Sequence, residues 1–375
     1  MTGHSDILFR AFRHGSLELR SRIVMAPMTR AFSPLGVPGA NVAEYYARRA
    51  AAGVGLILTE GTWIDHPAAS NDSNVPRMFG EDAREGWREV VRAVHAQGGS
   101  IAPQLWHVGM TRKPELKNLY DKVEEDLTAK FSPSGVVMPG ERVGTGSSEA
   151  DILAVIDAYA RAAEVAKGIG FDAVEIHGAH GYAVDQFFWQ QTNLRQDRWG
   201  GPGLADRARF GVELVKACRE RVGPHFPIIF RFSQWKLQDY AARLAATPDE
   251  LAELLCPLAD AGVDIFHASQ RRFREPAFAR SPLNLAGWAR ELTGKPAISV
   301  GSVGLSRDLL DTFASSEPTR VEGVDELVER MVAGEFDLVA VGRALIADPE
   351  WAIKVRDGLP GAIRPYSPAN LRDLV

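Results

Sequence analysis

The chain has 375 residues, 45% of them hydrophobic and 24% charged, with a net charge of -5 and a pI near 6.0. That acidic balance argues against nucleic acid as the main partner, because a phosphate backbone requires a basic face. No run approaches the ~20 apolar residues of a membrane span, and the opening residues hold no apolar stretch of signal length. Cys218 and Cys256 lie far apart in helical-looking stretches. Free thiols in a reducing, cytoplasmic compartment are expected, and an iron–sulfur cluster is excluded on ligand count.

In chain order, the segment from Phe9 to Leu19 reads as a small hairpin turning at His14-Gly15. Short apolar or β-branched runs follow at 23–26, 55–59, 100–105, 173–176, 228–232, 264–268, 297–300 and 338–341. They are mostly apolar on both faces, as parallel strands covered on each side are. Between them the pattern predicts helices near 41–52, 81–97, 149–168, 204–221, 248–261, 284–293, 324–333 and 349–357. Ser147 or Ser148 before Glu149, and Thr247 before Pro248, have the chemistry of helix starts. Gly53, Gly98, Gly170 and Gly262 sit where helices should stop.

Eight strand–helix units in regular alternation predict an α/β fold, a (β/α)8 TIM barrel forming one domain over residues 1–375. The hairpin is set to plug its floor. The alternative, an open doubly wound sheet, wants a Gly-rich nucleotide turn after its first strand. Pro27-Met28-Thr29-Arg30 stands there instead. A long loop after the third strand, residues 107–147, has a charged centre between Lys113 and Lys130 and a Pro/Gly-rich end. Long loops at this rim of a barrel usually shape the substrate site.

Chemistry in this architecture gathers at the C-terminal ends of strands. Pro27, Met28 and Thr29 end the first strand, Glu60 and Gly61 the second, and Gln104 to His107 the third. The fourth runs into His177, His180 and Tyr182, spaced i, i+3 and i+5. Two imidazoles and a phenol in one place can hold a developing oxyanion and protonate the carbon beside it. Arg231 lies within the fifth strand, and Ser269 follows the sixth.

Gly301-Ser302 and Gly342-Arg343 end the last two strands, the usual phosphate site of phosphate-binding barrels. Exposed N–H groups there form an anion nest, and Arg343 adds charge-assisted bonds. Either turn alone is also a routine connection. Gln104 carries a donor and an acceptor on one side chain, suited to an imide–carbonyl ring edge. Together with Arg231 these residues point to a phosphorylated planar cofactor. Two readings stay open for Arg231: an ion pair with Glu175, or a fixed positive charge that stabilises an electron-rich reduced ring.

The stretches RIVMAPMTR (22–30), LTEGT (58–62), QLWHVG (104–109), the run 172–201, DRARF (206–210), FRFS (230–233), SVGS (299–302) and VAVGRALIADP (339–349) resemble the old yellow enzyme family. These are FMN-dependent ene reductases, also called NADH:flavin oxidoreductases, and the resemblance covers nearly the whole chain in order. It implies that Pro27, Met28 and Thr29 contact the isoalloxazine, that Gly61 lets the ring approach, and that Gln104 binds its pyrimidine edge. Arg231 would sit near N1 and O2, with Gly301, Ser302, Gly342 and Arg343 on the phosphate. His177 and His180 would bind the activating oxygen of an electron-poor alkene, Trp106 would line the pocket, and Tyr182 would donate the proton. NADH or NADPH would reduce FMN, and hydride would then pass from N5 to the β-carbon of an α,β-unsaturated carbonyl or nitro compound. Assembly as a homodimer is implied as well.

Several positions depart from the family pattern. Thr29 replaces a cysteine found in one branch, and His180 stands where many members have asparagine, so donation depends on its tautomer. Asn71 falls where some members place a tyrosine. FHASQRRFREPAF (266–278) is unlike the better-known members. It brings Arg271, Arg272 and Arg274 near the site, either for an acidic substrate or NADPH phosphate or as a solvated basic loop. No cysteine cluster or second nucleotide domain is recognisable, so larger relatives with such extensions are not expected to match.

Three rival functions have weaker support. Zinc on His177 and His180 would need a third ligand, with Asp185 the nearest candidate; no metal is expected. FMN-dependent amine oxidation or demethylation fits the donor cluster less well, since an amine cation has no oxygen to hold. A non-catalytic flavin-binding barrel would have no use for the donor pair and Tyr182.

Overall fold

Phe12–His14 (β1) and Leu17–Leu19 (β2) pair antiparallel as the expected hairpin, with its turn on Gly15 and Ser16, one residue later than the sequence suggested. Gly15 has φ +58°, a conformation glycine adopts at no steric cost. The computed structural model describes residues 5–111, 130–314 and 317–375. Most of the charged centre of the loop after the third barrel strand lies outside these residues.

The barrel strands are Ile23–Met25 (β3), Leu56–Trp63 (β4) and Ser100–Trp106 (β5), and, after a small hairpin of Val136–Met138 (β6) and Glu141–Arg142 (β7), Val174–His177 (β8). Ile228–Ser233 (β9), Ile265–Ser269 (β10), Ala297–Val300 (β11) and Leu338–Val341 (β12) complete it. Strands β3, β4, β5, β8, β9, β10, β11 and β12 pair in parallel and close on themselves. The (β/α)8 barrel is therefore the fold.

Alternation along each strand divides the apolar residues between two cores. Val24, Leu56, Ala102, Ala173, Ile229 and Ile265 point inward and pack with Phe12, Leu17 and Leu19, so the hairpin does plug the barrel floor. Their neighbours Ile57, Ile101, Val174, Ile228 and Phe266 point outward and pack under the helices.

The helix signals read as expected. Ser148 caps Glu149–Ile169, accepting from the Asp151 N–H while the Asp151 carboxylate accepts from the Ser148 N–H at 2.9 Å. Thr247 caps Pro248–Ala261 through the Glu250 N–H. Gly170 (φ +107°) and Gly262 (φ +119°) end those two helices in the left-handed region.

Two features were not foreseen. Strand β4 runs four residues past its expected end, with a register shift between Leu58 and Gly61. The resulting bulge re-aims Glu60 and Gly61. The short helices Ala183–Phe188, Leu309–Phe313 and Arg343–Ala347 also lie in the connections that follow β8, β11 and β12. Five or six residues carry too little apolar periodicity to announce a helix in sequence.

Candidate active site

One cavity of about 840 Å³ opens at the C-terminal ends of the strands. The residues expected to hold cofactor and substrate and to donate the proton all line it: Pro27, Met28, Thr29, Gly61, Gln104, Trp106, His177, His180, Tyr182, Arg231, Gly301, Ser302, Gly342 and Arg343. Strand ends from the whole circumference of the barrel thus converge on one space.

On one wall the β8 run brings its three rings together. His177 lies 5.0 Å from Tyr182 and 5.1 Å from His180, centroid to centroid, and Trp106 meets Tyr182 edge-on at 5.2 Å. Burial, then the Arg231 charge, pushes both imidazoles well below the usual histidine range, so both are neutral. His177 Nδ1 accepts from the Ala179 N–H at 3.3 Å, which leaves the proton on Nε2.

His180 is held differently. It has φ +64°, its N–H donates to Ser233 Oγ at 2.9 Å and its carbonyl accepts from Leu237 at 3.1 Å. Its Nε2 sits 2.7 Å from Ser269 Oγ, an atom that also accepts from Arg231 Nη2 at 3.4 Å. A guanidinium can only donate, so Ser269 Oγ accepts from Arg231, and its own hydroxyl proton is available to His180 Nε2. With that donation His180 carries its proton on Nδ1. The two imidazoles, whose donation was expected to depend on their tautomers, thus engage the protein through different ring nitrogens, His177 through Nδ1 and His180 through Nε2.

The floor of the cavity is polar. Glu175, with no exposed surface, accepts from Gln104 Nε2 at 2.7 Å and from His267 Nδ1 at 2.5 Å. The suggested Glu175–Arg231 ion pair is not formed, because the carboxylate is already occupied by these two donors. Arg231 is 6% exposed, and its Nε has no hydrogen-bond partner among the described residues. A buried cation in that condition is built to meet an anionic or electron-rich group.

At the opposite end, Gly301 (φ +150°) approaches the loop after β10 so closely that a Cβ would lie 2.7 Å from the Gln270 carbonyl. Arg343 donates to the carbonyls of Asp308 and Arg307, both at 2.8 Å, and to Thr312 Oγ1. Carbonyls orient the guanidinium without cancelling its charge, as a phosphate site requires. Gly61 has the same kind of constraint, since a Cβ there would stand 2.8 Å from the Trp106 ring.

Other expectations divide. Of the three loop arginines only Arg271 lines the cavity. Arg272 pairs with Asp311 at 2.7 Å and Arg274 with Glu322 at 2.6 Å, so two of the three charges are compensated beside the site. Asp185, the third ligand a zinc site would have needed, instead accepts from Lys236 Nζ at 2.6 Å and from the Gly181 N–H at 2.7 Å. Asn71 does line the cavity.

Sequence reasoning missed Trp235, which stacks on His180 at 4.3 Å, and Tyr240, which stacks on Trp235 at 4.9 Å. The aromatic pair in WKLQDY, directly after the fifth strand, was the available signal. It also missed Tyr366, Pro368, Leu371 and Arg372, which close one side of the cavity. Arg30 ties that segment down by donating to the carbonyl of Asp373 at 2.7 Å.

A closed barrel with a buried arginine that has no carboxylate partner, a pair of glycine turns with an oriented arginine and a phenol–imidazole wall suits an oxidoreductase for a planar phosphorylated cofactor. Comparison with known proteins agrees. Residues 7–317 match the model of the NADH:flavin oxidoreductase / NADH oxidase family. The chain belongs to that family, the old yellow enzymes of the sequence comparison, with FMN as cofactor and NADH or NADPH as reductant.

An NADH oxidase of Thermoanaerobacter brockii is 34% identical over 98% of this chain, which spans only 53% of that relative. The chain thus spans about half the length of that relative. Chanoclavine-I aldehyde reductase of Penicillium roqueforti (strain FM164) is 33% identical over 94% of this chain and 90% of its own. A structure of morphinone reductase in complex with tetrahydroNAD superposes with a TM-score of 0.76 and 30% identity, covering 97% of this chain and 93% of that one. No helix among the described residues is long and apolar enough to cross a membrane.

Proposed function

We propose that the protein, as one FMN-binding domain, is an ene reductase for α,β-unsaturated carbonyl or nitro compounds. The observation that carries this reading is a neutral His177 with Nε2–H unclaimed by any described residue, 5.0 Å ring to ring from Tyr182 in the same cavity. FMN, when bound, supplies the hydride that it has taken from NADH or NADPH. The protein's own residues do the rest. His177 Nε2–H and His180 Nδ1–H bind the acceptor's oxygen, where negative charge develops as the β-carbon is reduced. Donors aimed at developing charge lower a barrier by ~3–4 kcal/mol each.

Tyr182 O–H then gives its proton to the α-carbon, and the edge of Trp106 holds the phenol in place. Amine oxidation is the weaker reading, since neutral donors and the Arg231 charge offer nothing to an amine cation. A cytoplasmic homodimer belongs to the same proposal, supported by the free thiols of Cys218 and Cys256 for the compartment and by the resemblance for assembly.

Stopped-flow measurement of the two half-reactions tests it. Tyr182→Phe should leave reduction by NAD(P)H unchanged and slow oxidation by an enone by a factor of roughly 10²–10⁴. Equal loss in both halves, or none in either, contradicts the role given to Tyr182.

A further inference from the structure

Glu175 has no place in the reaction just described, yet it lies fully buried against Gln104 of the cavity lining. Its strand position explains how it reaches two partners. Register places Glu175 of β8 beside Gln104 of β5, and His267 of β10 beside Arg231 of β9. All four side chains point into the barrel, directly above the apolar layer of Ala102, Ala173, Ile229 and Ile265.

An ionised carboxylate accepts and cannot donate. Gln104 must therefore turn its Nε2 toward Glu175 Oε1, 2.7 Å away, and its carbonyl Oε1 the other way. Among the described residues nothing donates to that carbonyl, and the Gln104 side chain lines the cavity. The second carboxylate oxygen takes His267 Nδ1–H at 2.5 Å, so neither oxygen is free to let the amide rotate. A glutamine alone has two nearly isosteric orientations, one presenting a donor and the other an acceptor.

We propose that Glu175 is a positioning residue which, backed by His267, locks Gln104 as an acceptor for the ring N3–H of FMN. The proposal rests on Gln104 facing the pyrimidine edge of the flavin. A ring lacking the imide N–H would leave the Gln104 carbonyl buried and unpartnered, a loss equivalent to roughly a tenfold weaker affinity or more.

The test is equilibrium binding to the apoprotein of FMN and of 3-deaza-FMN, in which a C–H group replaces N3–H. The wild type should prefer FMN about tenfold or more. Glu175→Met, which cannot accept from Gln104, should bring the ratio close to one by weakening FMN and sparing the analogue. A merely structural role would weaken both ligands equally and leave the ratio at its wild-type value, which overturns the proposal. Gln104→Leu separates the two levels of the argument. A wild-type ratio in Gln104→Leu removes Gln104 from the pyrimidine edge, whereas a collapsed ratio there with a wild-type ratio in Glu175→Met removes only the role of Glu175. A neutron structure of the wild-type holoprotein needs no variant to fold: deuterons on the Gln104 atom facing Glu175 are expected, and a carbonyl there overturns the lock.

Discussion

The lower and upper layers of the barrel interior are built by the same strands and have opposite chemistry. Ala102, Ala173, Ile229 and Ile265 form the lower layer, sealed by Phe12, Leu17 and Leu19. Two residues further along each strand stand Gln104, Glu175, Arg231 and His267. A step of two keeps a side chain on the same face and moves it about 6.6 Å along the strand. The lower layer is a packed core whose contribution is stability. The upper layer accepts the cost of buried charge to present a fixed donor–acceptor pattern to the cavity.

The largest test of that division falls on the lower layer. Leu56→Ala should destabilise the fold by ~2–5 kcal/mol, through lost burial plus the cavity left behind. Chemical denaturation would read this, while the FMN affinity of the folded protein stays at its wild-type value. The upper layer should respond the other way. Arg231→Met removes a buried cation without a carboxylate partner, so stability should hold or rise. FMN affinity should fall by a factor corresponding to ~1.5–3 kcal/mol, the usual worth of a charge-assisted bond. Parallel losses of stability in both variants would mean that the two layers do not differ in role.

A smaller effect sharpens the boundary at the β4 bulge. Glu60 is turned out of the ladder there, and its carboxyl accepts from the N–H groups of Arg30 and Ala31, both at 2.9 Å. Burial pushes its pKa up from the ordinary 4.5 to about 7. The folded protein therefore keeps a proton that the unfolded chain releases. Its contribution is complete below pH 4.5 and is lost as pH rises toward about 7. Denaturation at several pH values should show wild-type stability declining across that window by about 1–3 kcal/mol. Glu60→Gln should flatten the decline; an unchanged slope would place the titrating group elsewhere.

Much of this was legible in the chain. Alternating apolar residues, the serine and threonine caps and the stop glycines made eight strand–helix units readable, and most residues of the strand-end census, though not Glu60 or His107, line one cavity. The reading weakened where an element was short or a strand irregular. The helices of five or six residues have too few turns to show a period. The bulge in β4 depends on how the strand meets its neighbours. Trp235, Tyr240 and the segment Tyr366 to Arg372 belong to loops, and nothing local in a loop says which cavity it will face.

Sequence by itself determined the class of the protein and the kinds of side chain at the site, because periodicity and strand-end chemistry are local properties of the chain. Pairing was decided only by the tertiary structure. Glu175 stood open between serving Arg231 and serving other partners until barrel closure put it against Gln104, 71 residues away, and His267, 92 residues away. Closure likewise linked Arg231 through Ser269 to His180 and so set which ring nitrogen of His180 meets the hydroxyl. The physical reason is that a hydrogen bond selects its partner by distance and direction in space, and strand register, which fixes both, exists only once the barrel has closed.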